Sequence, residues 1–186
     1  MKRVFDVFFG IIAIFFLWFP CLIIAILVFI TSKGPVLYWS DRVGKNNHIF
    51  RMPKFRSMRI GTPEVATHLL QDAKRHLTPV GSFLRRTSLD ELPQLLSVLK
   101  GDMSLVGPRP CLFSQNELIA ERAARGVFAV RPGITGLAQI KGIDMSTPEL
   151  LAQTDAEMIA SFSLRHYFRY ILLTLLGKGS GDRVVR

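Results

Sequence analysis

Cysteine, histidine and acidic residues are all sparse in this sequence. Among 186 residues there are two cysteines, Cys21 and Cys111, and four histidines, His48, His68, His76 and His166. The histidines are scattered at no spacing that would ligate a metal together with cysteine, so no zinc-type site is expected. Cys21 lies in a long apolar run and Cys111 follows a Gly-Pro-Arg-Pro turn, which makes a bridge between them implausible; both thiols are expected reduced. Asp and Glu number 14 against 24 Lys and Arg, a formal net charge of +10. That balance suits anionic lipid head groups, a phosphorylated substrate or nucleic acid, and a generic basic face is also open. No nucleic-acid-binding motif accompanies it, so nucleic acid is not expected as a partner.

Charge itself is missing between Asp6 and Lys33, over 26 consecutive residues with Pro20 near the centre. At roughly 1.5 Å per helical residue the run covers about 39 Å, more than the roughly 30 Å hydrocarbon core of a bilayer. It ends in Thr31-Ser32-Lys33-Gly34-Pro35 with no Ala-x-Ala pattern, so a cleaved signal peptide is not expected. The rest of the chain is too small to hide such a run in a soluble core. Membrane insertion follows.

A straight span and a re-entrant hairpin both fit the length. Proline cannot donate its backbone N–H and crowds the carbonyl four residues back, so a kink is expected at Pro20. Lys2 and Arg3 precede the run; Lys33, Arg42, Lys45, Arg51, Lys54, Arg56 and Arg59 follow it. A span would force one positive flank across the membrane, against the positive-inside rule, and a hairpin avoids this.

Downstream, Val36 to Trp39 reads as a strand, Asp41 to Asn47 as a turn and Ile49 to Met52 as its partner strand. Glu64 to His76 has the spacing of a surface helix, broken at Thr78-Pro79-Val80-Gly81. Ser88 followed by Glu91 is a capping-box pattern, which predicts a helix from Ser88 to Leu99 with Asp90 and Glu91 in its first turn, Pro93 tolerated early and Gly101 as its stop. Helices are expected at Ser114 to Arg125 and Glu149 to Leu164. The latter leads through Arg165, His166 and Arg169 into Tyr170 to Leu176, too short and apolar a stretch to span, which suits a helix lying in the head-group plane.

Two arginines sit on stiff turns, Arg109 in Gly107-Pro108-Arg109-Pro110 and Arg131 in Arg131-Pro132-Gly133. Their rigid forks of donors suit phosphate, although each would serve equally to cap a carbonyl or pair with a carboxylate inside the fold. Asp90 and Glu91 are adjacent and point in different directions, so they are not expected to share one proton. One is free to act on substrate while the other holds a hard cation such as Mg²⁺, which needs only one or two protein carboxylates beside phosphates. An acidic pair at a helix start with no catalytic duty is the bland alternative; Arg85 and Arg86 nearby argue against it.

Four stretches carry a resemblance. Lys54-Phe55-Arg56-Ser57-Met58, Leu84 to Leu95 (LRRTSLDELPQL), Lys100 to Pro110 (KGDMSLVGPRP) and Arg131 to Gly136 (RPGITG) resemble, in this order, the bacterial sugar transferase family of monotopic polyprenyl-phosphate phosphoglycosyl transferases. The resemblance covers nearly the whole chain and looks like the minimal catalytic form. It implies transfer of a phospho-sugar from a UDP-sugar to undecaprenyl phosphate on the cytoplasmic face of the bacterial inner membrane, with Mg²⁺ as cofactor. It implies a re-entrant helix, Asp90 as an aspartyl nucleophile, and Glu91 as its partner associated with Mg²⁺. Arg85, Arg109 and Arg131 resemble arginines that line the phosphate and nucleotide region, and Lys54 and Arg56 add positive charge.

The expected architecture is a small membrane-associated mixed α+β domain with an N-terminal re-entrant helix, a short β-hairpin and amphipathic interfacial helices. Residues 1–33 would form the membrane helix-turn-helix, 34–176 the cytoplasmic catalytic domain and 177–186 a flexible tail. The partners are UDP-sugar, undecaprenyl phosphate and inner-membrane lipid; a homodimer is left open. Three departures stand out: Phe19-Pro20 where the family often has Ser-Pro, Leu137 where Trp is frequent, and Tyr167 where the late helix often carries Asp. A Mg²⁺-dependent membrane phosphatase or nucleotidyl transferase, a non-catalytic membrane scaffold and a lipid-head-group binding module are the alternatives.

Overall fold

The computed structural model describes residues 1–63, 65 and 72–179. They form a mixed α+β domain with one apolar N-terminal helix and a short antiparallel hairpin. Helix α1 (Lys2–Thr31) runs through Pro20 and is long and apolar enough to cross a membrane. Both of its ends lie on the same domain. Near the start, Arg3 donates to Val98 O at 2.5 Å and Leu99 O at 2.9 Å, and Gly10 is so close to Leu99 that a Cβ there would sit 3.0 Å from its Cδ2. Near the end, Ile24 and Val28 are buried with Phe55 and Leu84. Between these contacts Phe15, Phe16, Trp18 and Phe19 are exposed.

Asp6, which only bounded the charge-free run in the sequence, is 2% exposed. Its Oδ1 accepts from Ser104 Oγ at 2.9 Å, the Leu105 amide at 3.0 Å and Tyr167 OH at 3.0 Å. A buried carboxylate needs such partners, and they tie the start of α1 to two distant segments.

Strands β1 (Leu37–Val43) and β2 (Ile49–Phe55) pair antiparallel from Leu37 opposite Phe55 to Val43 opposite Ile49. The hairpin is where the sequence put it, but the strands are longer: Asp41 to Val43 pair with Arg51 to Ile49 instead of turning. Ser40 and Val43 are both buried, and the ladder continues until the turn at Asn46 and Asn47, both at positive φ, a conformation asparagine tolerates. Arg51 lies 5.5 Å over the Trp39 ring on the exposed side.

Most of the surface helix expected at Glu64 to His76 lies outside the described residues; Ala73–His76 forms a single 3₁₀ turn. The helix expected from Ser88 to Leu99 is instead three pieces. Helix α2 (Gly81–Thr87) ends at Ser88, whose φ of 57° is left-handed; Leu89–Glu91 make a 3₁₀ turn; and α3 (Gln94–Lys100) starts after Pro93. Ser88 therefore terminates a helix and makes no side-chain cap of the capping-box kind. The reason is tertiary: the Glu91 carboxylate, which the box needs, is drawn to cations from elsewhere in the chain. Gly101 stops α3 at φ 102° as expected.

Strand β3 (Ser104–Val106) pairs in parallel with β4 (Gly133–Thr135), which brings the two proline-arginine turns side by side. A Cβ on Gly133 would stand 2.0 Å from Gly107 N, so this approach requires glycine. Helix α4 (Asn116–Ala124) lies inside the stretch expected to be helical, and α5 (Leu137–Lys141) follows β4. The helix expected from Glu149 to Leu164 is α6 (Pro148–Ala160), which ends before Ser163; the Ser163 hydroxyl accepts from the His166 amide at 3.2 Å and opens α7 (Leu164–Leu175). A serine at an N-cap favours a new helix start over continuation. Tyr167 and Tyr170 of α7 are buried beside Val106 and Met158, while Phe168, Leu172, Leu175 and Leu176 are exposed. Cys21 and Cys111 are free thiols.

Candidate active site

The Leu89–Glu91 turn packs on the end of β2 and presents two carboxylates with opposite surroundings. Asp90 is 6% exposed, and Ser57 Oγ, just past β2, lies 3.4 Å from its Oδ2. Glu91 is held by two cations: Lys54 Nζ donates to Oε1 at 2.8 Å, and Arg109 forks across both oxygens, with Nη1 3.3 Å from Oε2 and Nη2 bonded to Oε1. The expectation that neighbouring carboxylates diverge is met in this way.

Their proton affinities diverge too. Burial pushes the Asp90 carboxyl up to about 6, against the pull of Lys54, with Glu91 adding to the rise and Arg85 and Arg109 opposing it. Burial acts on Glu91 in the same direction, but the charges and hydrogen bonds of Arg109 and Lys54 outweigh it and hold this carboxyl well below the usual range. Burial lowers the Lys54 ammonium, with Glu91 counteracting. Two titratable neighbours pushed apart by environment are a pattern of functional sites.

Of the residues singled out in the sequence, Asp90, Glu91, Lys54 and Arg109 form one cluster, with Arg85 near enough to act on Asp90 electrostatically. Arg56 and Arg131 engage backbone elsewhere. Arg56 Nε donates to Pro35 O at 2.7 Å, and Arg131 Nε to Gly101 O at 2.6 Å. Arg131 borders a cavity of about 180 Å³ shared with Lys45, Asn46, His48 and Asp102. Among the described residues no three His, Cys, Asp or Glu side chains gather as a metal cluster.

Ser57, Arg42 and Arg122 adjoin the site but were not singled out. Ser57 lies within Lys54-Phe55-Arg56-Ser57-Met58, the one sequence signal that points to it. Arg42 and Arg122 reach the Arg109 turn from β1 and α4, contacts across 68 and 13 residues that no local pattern announces.

A buried carboxylate with raised proton affinity, a neighbouring carboxylate held by Lys54 and Arg109, and a helix long and apolar enough to cross a membrane belong to one domain. The bacterial sugar transferase family model matches residues 1–178, and the chain belongs to this family. It is 42% identical over 185 residues to the UDP-glucose:undecaprenyl-phosphate glucose-1-phosphate transferase of Xanthomonas campestris pv. campestris, covering 93% of this chain and 37% of the relative. It is 42% identical over 152 residues to the exopolysaccharide production protein PSS of Rhizobium leguminosarum bv. phaseoli, covering 77% and 74%. A galactosyl transferase, CpsE, of Streptococcus agalactiae is 40% identical over 164 residues, covering 79% and 36%. The chain thus spans little more than a third of the Xanthomonas and Streptococcus relatives.

Proposed function

We propose that this protein transfers a phospho-sugar from a UDP-sugar to undecaprenyl or another polyprenyl phosphate through a phosphosugar ester of Asp90. The observation that carries the reading is the buried Asp90 carboxylate flanked by Lys54, Arg85 and Arg109, in a chain of this family. The names of the Xanthomonas relative and of a Caulobacter vibrioides relative, 40% identical over 171 residues, describe glucose-1-phosphate transfer to undecaprenyl phosphate and support the substrate classes.

The chemistry runs in two displacements. Asp90, ionised above about pH 6, attacks the β-phosphorus; the new P–O bond forms as the bond to the bridging oxygen breaks, and that oxygen leaves with its electron pair on UMP. A phosphate oxygen of the lipid then attacks the same phosphorus and returns the Asp90 carboxylate. Arg109 and Lys54 lie where they would offset charge on the diphosphate, while Glu91 keeps both in place. Asp90 and Glu91 are the hard carboxylates that would hold Mg²⁺ beside phosphates, Glu91 only by releasing Lys54 or Arg109, which engage both of its oxygens here. When bound there, the ion would neutralise the non-bridging oxygens of the diphosphate.

The same reading places the protein on the inner membrane as a monotopic enzyme with its catalytic domain on the cytoplasmic face. Arg3 and Gly10 at one end of α1, and Ile24 and Val28 at the other, rest on one domain, while Phe15 to Phe19 face outward, which supports a re-entrant helix over a span. Exposed Phe168, Leu172 and Leu175 on α7, beside Arg165 and Arg169, support an interfacial role for that helix.

The test is incubation with a panel of UDP-sugars and Mg²⁺ without lipid acceptor. One equivalent of UMP and a phosphosugar adduct on Asp90, absent in Asp90→Asn, are expected by mass spectrometry. Release of UMP only when lipid is present, with no adduct, would assign attack to the lipid phosphate directly. Release of inorganic phosphate or pyrophosphate would instead indicate a phosphatase or nucleotidyl transferase.

A further inference from the structure

The turn that carries Arg109 is gripped at three successive carbonyls. Arg122 Nη1 donates to Arg109 O at 2.8 Å, Arg42 Nη1 to Pro110 O at 3.3 Å and the Val43 amide to Cys111 O at 3.0 Å. The donors come from α4 and β1, on different sides of the turn's own sequence. Arg122 is the most deeply placed of them. It is 2% exposed, and its Nε and Nη2 both donate to Asp155 Oδ2 on α6, at 3.0 and 2.7 Å.

A buried ion pair is a poor stability device, because well-packed apolar residues of the same volume often do as well or better. A guanidinium does have a use here that an apolar side chain lacks. Its fork is planar and rigid, so anchoring two of its N–H groups on Asp155 fixes where the third points. That third group meets the backbone carbonyl of Arg109. The Arg109 side chain is long and 39% exposed, so its place on Glu91 depends on where its backbone is held. Asp155 also balances the charge of Arg122, which would otherwise be an unpaired buried cation behind Arg109.

We propose that Arg122, oriented by Asp155, is a positioning residue for Arg109: it holds the Gly107–Pro110 turn so that the Arg109 fork stays on Glu91 and faces the substrate phosphates. The inference rests on the phosphosugar transfer reading for its effect on rate, and on hydrogen bonds alone for its effect on the turn. Displacement of a charged group by about 1 Å at such a site lowers rate on the order of 100-fold.

The experiment is a double-mutant cycle on the full chain in lipid nanodiscs, with Arg122→Gln, Arg109→Ala and the pair, plus Arg122→Lys and Asp155→Asn. Three readouts are taken: UMP release across UDP-sugar concentrations, the thermal midpoint, and amide hydrogen exchange of the peptide covering 107–112. Arg122→Gln is expected to lower kcat on the order of 10-fold to 100-fold and to speed exchange in that peptide, yet to add little once Arg109 is Ala, because both act through one group. Arg122→Lys should recover part of the rate, since it keeps the charge but not the fork. Effects that add fully to Arg109→Ala, or exchange that is unchanged, would overturn the positioning role. If Arg122→Gln does not fold, Arg122→Lys and Asp155→Asn carry the same cycle. If the unmodified protein releases no UMP from any UDP-sugar, the transfer reading fails; exchange at 107–112 then decides the positioning role by itself, faster supporting it and unchanged overturning it.

Discussion

Lys54, near the end of β2, donates to Glu91 Oε1 at 2.8 Å, and this ion pair ties the hairpin to the turn that presents Asp90. Glu91 thereby absorbs the charge of Lys54 as well as that of Arg109, and leaves its neighbour Asp90 as the carboxylate with the raised proton affinity. What surrounds each member divides the acidic pair into an ion-paired carboxylate and a buried one that holds its proton more tightly.

Asp90 binds its proton more tightly in the folded chain, with a pKa moved from 3.8 to about 6. Its contribution to stability is therefore fully present below about pH 4 and lost as the pH rises through 6. Asp90→Asn, neutral throughout, should gain on the order of 3 kcal/mol over the unmodified protein at pH 8 and little at pH 4, read from thermal melts at both. Adduct formation should show the reverse trend, falling as the pH drops through about 6. A rate that stays flat from pH 8 to 5 would remove ionised Asp90 from the chemistry.

Glu91 behaves in the opposite sense. Its folded pKa is depressed, so the stability it contributes is present above the ordinary range of a glutamic acid and is lost as the medium becomes strongly acidic. Glu91→Gln leaves Lys54, 16% exposed, without its counter-charge and should cost about 2 kcal/mol at pH 7, less than a fully buried pair because Arg109 is partly solvated. Adduct formation should slow and its Mg²⁺ dependence weaken. An unchanged melt together with unchanged Mg²⁺ dependence would reduce Glu91 to a bystander.

If α1 is re-entrant as proposed, single cysteines placed at Lys2 and Lys45, with Cys21 and Cys111 replaced, should both label from the cytoplasmic side. Labelling on opposite sides would establish a span and end the re-entrant reading. Pro20→Leu restores a backbone donor and removes the ring clash, so it should shift a fraction of molecules toward the spanning topology.

Tyr167→Phe removes the hydroxyl that donates to Asp6 Oδ1 and leaves two donors on that oxygen, Ser104 and the Leu105 amide. The loss should be about 1 kcal/mol, or roughly 2–4 °C in the thermal midpoint. Asp6→Ala should be worse, since it strands three donors at once. Equal melts for the two variants would show that the bonds from Ser104 and the Leu105 amide add nothing to the one from Tyr167.

Local chemistry in the sequence was enough to locate the apolar helix, a hairpin with strands at Val36 to Trp39 and Ile49 to Met52, the Gly101 stop and the candidate residues Asp90, Glu91 and Arg109, while Lys54 came from the family resemblance. Hydrophobic run length, strand propensity and the backbone freedom of glycine act over a few residues, so they are readable in order along the chain. The capping box at Ser88 was the instructive departure: local spacing favoured a helix there, while the Glu91 carboxylate found stronger partners 37 residues before and 18 residues after it. Tertiary structure alone decided that Asp6 would be buried against Tyr167, that Arg122 would brace the Arg109 turn through Asp155, and that Arg131 would reach Gly101 instead of the carboxylates. A charge taken out of water must find a counter-charge or donor wherever the fold supplies one, and nothing in a neighbouring stretch of sequence specifies which distant residue that will be.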